Sequence, residues 1–141
     1  MNERTSRIAD YLLDECRERG EALTPLKLQK MLFYADAWHM VLHGDELTNE
    51  RFQAWVHGPV ALSQYHRFKE YQWRPIGADI QRPTLEAGVA EHLDEIIVVF
   101  GSETAVALEQ MTHAELPWIE ARGTLQPHEA CNMYISKWSA P

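Results

Sequence analysis

The chain has 141 residues, 45% of them hydrophobic and 24% charged, which predicts one globular domain rather than a disordered or fibrous chain. Its formal net charge of −8 argues against a dedicated nucleic-acid-binding domain, because such domains carry a basic patch. The acidic charge is compatible with a basic protein partner.

Two amphipathic segments open the chain. Residues 5–19 have apolar residues at the i, i+4, i+8 spacing of a helix. Residues 24–43 carry the clearest start signal, because Thr24 can cap a helix whose first position is Pro25. Gly44 is expected to end it. This second segment is apolar on most sides, so we predict that it is the central, buried helix.

The second helix also carries a narrow polar strip. Four polar residues fall within about 80° of one another when successive residues are placed 100° apart. A solvated or interfacial strip is the expected role. Two histidines four residues apart can share a metal ion, but no third ligand stands at an obvious spacing, so we predict no metal. The four residues are Gln29, Asp36, His39 and His43.

Short β structure is predicted next. Residues 52–56 alternate in the manner of a half-buried strand. Gly58 and Pro59 should break the strand, with a helix starting near Pro59. A second short strand is expected around Ile76 or Ile80, in the stretch without helical periodicity.

Two more helices complete the predicted architecture. One spans residues 86–100 and ends at Gly101, and Ser102 with Thr104 can cap the next. Residues 128–138 form a last amphipathic segment. The expected fold class is mainly α (α+β): a single compact helical domain over residues 1–141, built around a central buried helix, with a small β hairpin or short sheet.

The cysteines and the N-terminus bear on location. Cys16 and Cys131 lack CxxC spacing and have apolar neighbours in helical patterns, so we expect buried, reduced thiols. No apolar run approaches the roughly 18 residues of a membrane span. The N-terminus lacks the apolar core of a signal peptide. We therefore expect a cytoplasmic protein with no membrane partner and no cofactor.

Three motifs follow one another along the chain. The most distinctive places a histidine, a carboxylate, a proline and a tryptophan within residues 111–118. The residues of the three motifs are Thr24, Pro25, Leu26, Lys27, Leu28, Gln29, Lys30, Tyr34, Trp38 and His39; then Ala54, Trp55, His57, Gly58, Pro59 and Val60; then Thr112, His113, Glu115, Pro117 and Trp118. At these positions the chain resembles the Panacea domain, the SocA-like antitoxin family of bacterial toxin–antitoxin systems, and the resemblance covers roughly residues 5–125.

The resemblance implies an antitoxin that neutralises a co-encoded toxin by direct protein–protein binding. It leaves open a proteolysis adaptor that delivers the toxin to an ATP-dependent protease. Some relatives belong to prophages or mobile elements, and some carry an N-terminal DNA-binding segment. This chain begins almost at the domain, so direct nucleic-acid binding is not expected. The signature positions define the family, and the resemblance does not assign each a toxin contact.

Catalytic chemistry finds little support in the sequence. No GxSxG nucleophile elbow is present. His113 and Glu115 have the His-x-Glu spacing of zinc deaminases, but the Pro-Cys-x-x-Cys segment that those enzymes need is missing. We predict no catalytic residues, and a structural role for the turn at Pro117 and Trp118. The alternative is a small enzyme or ligand-binding domain that uses His57, His113 and Glu115 with Lys27 or Lys30.

One loop is a candidate partner-binding surface. Tyr71 and Trp73 flank a predicted loop, and Arg74 is adjacent. Interface hot spots are enriched in Trp, Tyr and Arg, so these three residues are predicted contacts. Peripheral core packing is the alternative for the two aromatic residues.

Overall fold

The computed structural model describes residues 3–113, 119, 121–123 and 133–135, with only the backbone at 105, 106, 112 and 113. The expectations for Glu115, Pro117, Trp118 and Cys131 lie outside these residues. Within them the elements, in chain order, are α1 (Glu3–Glu18), α2 (Pro25–His43), β1 (Gln53–Trp55), β2 (Gly58–Val60), α3 (Leu62–Phe68), a 3-10 turn (Lys69–Tyr71), α4 (Ala87–Phe100) and α5 (Ala105–His113).

The start and end of α2 confirm the capping pattern in the sequence. The Thr24 hydroxyl accepts a hydrogen bond from the Lys27 amide at 3.2 Å, and Pro25 takes the first helical position. Gly44 ends the helix with a φ of 75°, a left-handed conformation that glycine adopts at low cost.

Helix α2 is the centre of the domain, as predicted. Residues 28–37 are all buried, and the helix packs against α1, α3, α4, α5 and β2. Aromatic rings fill the contact with α4 and the hairpin: Tyr34 stacks on Phe100 at 4.5 Å between centroids, and Phe33 packs edge-on against Phe52. None of the helices in the described ranges is both long and apolar enough to cross a bilayer.

The predicted polar strip on α2 is not a solvated one over its first half. Gln29 and Asp36 are buried and bind backbone groups of other segments. The Asp36 carboxylate accepts from the Leu47 amide at 2.9 Å and from the Thr48 hydroxyl at 2.7 Å, so it fixes the loop after α2. Only His39 and His43, near the end of the helix, reach solvent.

The expected helix start near Pro59 is wrong. Gly58–Val60 forms β2, which pairs antiparallel with β1. Pro59 lies opposite Ala54, and a proline is tolerated in such a short strand at the edge of a sheet. Helix α3 begins later, at Leu62, where the Glu50 carboxylate accepts from both the amide and the hydroxyl of Ser63.

The second short strand expected at Ile76 or Ile80 does not form either. The segment after the 3-10 turn instead lies across α1 and binds it through arginine side chains. Arg17 donates to the Ile76 carbonyl at 2.7 Å, and the Ile76 amide donates to the Leu23 carbonyl. Arg82 pairs with Asp14 at 2.8 Å. Side chains of α1 therefore satisfy backbone groups that a strand would have paired.

A further extended segment lies on the other side of β1. Residues 133–135, from the expected amphipathic segment 128–138, are extended, and Tyr134 bridges Gln53. The Ala54 amide donates to the Met133 carbonyl at 2.9 Å, and the Ile135 amide donates to the Phe52 carbonyl at 2.6 Å. Strand β1 therefore has a hydrogen-bonded neighbour on each edge, β2 on one and residues 133–135 on the other.

The buried position of α2 predicts a strong, position-specific stability effect. Leu32 is fully buried and Leu42, on the same helix, is 63% exposed. Leu32→Ala should lower the free energy of unfolding by about 2–5 kcal/mol, because it leaves a cavity among packed helices. Leu42→Ala should change it by no more than about 0.5 kcal/mol. Urea denaturation measures both, and equal midpoints for the two variants would contradict the central placement of α2.

Candidate interaction groove

A groove of about 860 Å³ lies where the start of α2 meets the hairpin and α3. We call it the Lys30 groove. Its walls are largely apolar and aromatic, and the first two sequence motifs supply most of them. The described residues that line it are Pro25, Leu26, Gln29, Lys30, Trp55, Val56, His57, Val60, Tyr65, Lys69 and Gln72.

Gln29 holds the two halves of the groove together. Its side-chain amide donates to the Ala61 carbonyl at 3.1 Å, and its carbonyl oxygen accepts from the Ala61 amide at 2.8 Å. Ala61 joins β2 to α3, and both residues are buried. This reciprocal pair fixes the end of the hairpin against α2.

Trp55 and Tyr65 form the aromatic wall. The Trp55 ring packs edge-on against Tyr65, with centroids 4.7 Å apart. The Trp55 indole N–H donates to the Gln53 side chain at 2.7 Å, which satisfies its polar atom and sets the ring orientation.

Lys30 is the unusual residue of the groove. Its side chain is fully buried, and the Nζ atom has no hydrogen-bond partner among the residues that the structure describes. Burial lowers the pKa of Lys30 to about 8, an effect that the negative charge of Glu109 partly opposes. A buried ammonium group without a partner is costly, and native structures seldom retain one without a function.

His57 and Glu109 form a polar pair beside Lys30. The Nδ1 atom of His57 donates to the Glu109 carboxylate at 2.8 Å. His57 belongs to the hairpin turn and is largely exposed, whereas Glu109 lies on α5. The carboxylate whose charge acts on Lys30, that of Glu109, is therefore already bound to His57.

The structure separates the signature residues into different roles. Gln29, Lys30, Trp55 and His57 meet in the groove. Gly58 and Pro59 are buried in β2. Other signature positions serve elsewhere: Lys27 binds Glu21 and the Gly101 carbonyl, both at 2.5 Å, Tyr34 is in the core, and Trp38 borders a second groove.

The structure describes little of the third motif. The side chain of His113 is not described, and Glu115, Pro117 and Trp118 lie outside the described residues. Their predicted structural role stays a prediction.

The predicted partner-binding loop adjoins the Lys30 groove. Trp73 is 79% exposed, whereas Tyr71 packs partly against the core. Arg74 donates to the carbonyls of Tyr71 and Glu70, so it stabilises the end of the 3-10 turn. Gln72, which lines the groove, has a φ of 57°, a left-handed value that residues with side chains seldom adopt.

Sequence reasoning missed Tyr65, Lys69, Gln72 and Glu109 as neighbours of the motif residues. Tyr65 lies in the helix that the sequence predicts to start near Pro59, and that pattern does not indicate which of its residues face the groove. Glu109 is distant in sequence from the hairpin, and no local pattern indicates that α5 brings it to His57.

The second groove, of about 950 Å³, contains a histidine cluster at the end of α2. The His39 ring lies 4.5 Å from that of His43 and 5.2 Å from that of His92. The Nε2 atom of His92 donates to the Ala35 carbonyl at 2.7 Å, and burial lowers its pKa. In the described part of the chain no group of three or more His, Cys, Asp or Glu residues is arranged to hold a metal ion.

These features describe a small helical domain with an open, apolar groove, and comparison with known proteins places it. Residues 28–119 match the sequence model of the family described as antitoxin SocA-like, Panacea domain, so the chain belongs to this family. It is 29% identical over 124 residues to antitoxin SocA of Caulobacter vibrioides strain NA1000 / CB15N, covering 79% of this chain and 66% of that protein. The chain thus spans slightly less than two-thirds of that relative's length. No solved structure matches it.

The Gln29 pair predicts a stability effect. Gln29→Leu keeps most of the side-chain volume but leaves the buried amide of Ala61 without its partner, whereas the Ala61 carbonyl still accepts from the Gln64 and Tyr65 amides. We expect the free energy of unfolding to fall by roughly 1–3 kcal/mol, the usual cost of one orphaned buried group. Gln81→Leu, at an exposed position, is the control. Chemical denaturation that finds the two variants equally stable would refute this role of Gln29.

The lowered pKa of Lys30 predicts a pH dependence of stability. Between about 8 and its ordinary value of 10.5, the unfolded chain binds more protons at this residue than the native chain. Below pH 8, burial of the Lys30 ammonium group therefore lowers the free energy of unfolding by up to roughly 3 kcal/mol. This destabilisation fades as the pH rises to 10.5.

Comparison with Lys30→Met isolates this contribution. Burial raises the pKa of Cys16 from 9.0 to about 11, so this thiol makes the native state less stable as the pH rises through that range. In part of the same pH window, its effect on stability is therefore opposite to that of Lys30. We expect Lys30→Met to be more stable than wild type at pH 7, with an advantage that shrinks by pH 10.5. A variant less stable at pH 7 would show that the lysine is a structural residue.

Proposed function

We propose that this chain is an antitoxin that neutralises a toxin protein by binding it directly, without chemistry of its own. Membership of the antitoxin SocA-like family supports the antitoxin role, as does the similarity to a protein named antitoxin SocA. A toxin is the partner that such a role requires.

The observation that carries the binding mode is the Lys30 groove. Its volume of about 860 Å³ lies in the range of roughly 300–1,000 Å³ typical of ligand-binding clefts. Apolar and aromatic side chains line it, and a few polar groups converge on it. Several side chains of a partner protein fit in such a space, and burying the walls against them supplies the free energy of association.

Trp73 extends the proposed interface beyond the groove. An indole that is 79% exposed next to an apolar groove is well placed to be an energetic hot spot. Tyr71 and Arg74 hold the loop that presents it, through core packing and through hydrogen bonds to the local backbone. All three stay in the proposed interface, with Trp73 as the principal contact.

The alternatives gain less support. Delivery of a toxin to an ATP-dependent protease has no observation in its favour. An enzyme built on His57, His113 and Glu115 with Lys27 or Lys30 fares no better: Lys27 is engaged by Glu21 and Gly101, and His57 by Glu109. We expect no cofactor, no metal and no direct nucleic-acid partner.

Co-expression with the product of the neighbouring gene tests the proposal. If that product arrests growth, wild-type antitoxin should restore growth, and the two proteins should co-elute in gel filtration. Trp73→Ala should weaken the complex roughly 30-fold or more while leaving the melting temperature unchanged, because loss of a hot-spot side chain costs about 2 kcal/mol or more.

Leu42→Ala is the matched control, because it also shortens an exposed apolar side chain but lies outside the Lys30 groove. It should bind like wild type. Failure of wild type either to rescue growth or to form a complex would rule out neutralisation of that protein by direct binding. Full affinity of the Trp73 variant would remove the loop from the interface.

A further inference from the structure

We propose that the Lys30 groove recognises an acidic, apolar segment of a partner polypeptide, and that the amine of Lys30 receives the side-chain carboxylate of a Glu or Asp in that segment. The identity of the partner as a toxin rests on the proposed function. The chemistry of the groove does not.

The first argument is the unpartnered amine. Lys30 is fully buried, and its Nζ atom meets no acceptor among the described residues. The neighbouring carboxylate of Glu109 acts on it from a distance and binds His57 instead. A buried cation is stabilised when an anion pairs with it, and a carboxylate supplies both the charge and the hydrogen-bond acceptors.

The second argument is the charge of the groove. The described residues that line it include Lys30 and Lys69 but no Asp or Glu, and the nearby carboxylate of Glu109 binds His57. The chain as a whole carries a formal net charge of −8. A locally basic groove on an acidic protein is complementary to an acidic segment, and the surrounding negative charge disfavours acidic partners that do not enter it.

The third argument separates a polypeptide from a small anion. Leu26, Val56 and Trp55 line the same groove with apolar surface. A free phosphate would occupy only the amine and leave these walls in water. A Glu or Asp flanked by apolar residues covers the walls and pairs with the amine when the buried Lys30 side chain turns into the groove, so only the peptide uses both parts of the groove.

Binding to the toxin is the first test. Lys30→Met preserves the apolar stem and removes the charge, and Arg51→Met removes an exposed cation outside the groove. Lys30→Met should lower the affinity measured by calorimetry roughly a hundredfold, because truncating one partner of a buried charge pair is costly. Arg51→Met should change it less than about threefold. Carbon NMR of the lysine Cε should show the pKa of Lys30 rising from about 8 on complex formation. Wild-type affinity in Lys30→Met, or an unchanged pKa, overturns the proposal.

If wild type binds no toxin, the proposed function fails. A peptide-display selection then still tests whether the Lys30 groove binds an acidic, apolar segment. Random dodecapeptides are selected on immobilised wild type and on Lys30→Met. Enrichment of Glu or Asp between apolar residues on wild type alone supports the inference. Equal enrichment on both proteins, or none on wild type, overturns it. Inorganic phosphate at about 10 mM, far above the concentration of a selected peptide, serves as a competitor. If it displaces the peptides fully, the groove is a plain anion site and the inference is overturned.

Discussion

Complete burial of the middle of α2 is the constraint on which the rest of the fold depends. Residues 28–37 are buried on every side, yet three of them are polar or charged. In a close-packed interior each such group must find a partner or destabilise the fold. Gln29 meets the backbone of Ala61, and Asp36 meets the loop at Leu47 and Thr48. These contacts place the hairpin and the loop after α2, so the polar residues determine the chain path around the central helix.

Local signals explain which elements could be predicted from sequence. The cap at Thr24, the proline after it and Gly44 fix α2, because capping depends only on neighbouring backbone groups. The strand at residues 58–60 was not predicted, because Gly-Pro usually ends a regular element. The pairing of this strand with β1 depends on the turn between them, which leaves no pattern within the strand itself. The segment around Ile76 was also predicted wrongly. Arg17 and Arg82 hold that segment against α1, and contacts so distant in sequence leave no periodic pattern.

The site was predicted only in part, for a related reason. The motifs identified Lys30, Trp55 and His57, but a helical pattern does not distinguish a lysine that reaches solvent from one whose amine is enclosed. That difference depends on β2, α3 and α5, which pack against α2. The polar strip was misjudged in the same way: helix geometry correctly grouped Gln29 and Asp36, whereas their burial depends on the hairpin and the loop that cover them.

The choice of lysine at position 30 connects stability with binding. A lysine can release its proton when enclosed, which limits the cost of burial, whereas an arginine stays charged under all ordinary conditions. The burial that lowers the pKa of Lys30 also weakens the free domain at neutral pH. A partner carboxylate that pairs with the buried ammonium group recovers that lost stability as affinity for the complex. The same residue therefore makes the empty groove unfavourable and an acidic occupant favourable, whereas a neutral apolar segment would fill the walls and leave the amine unpaired.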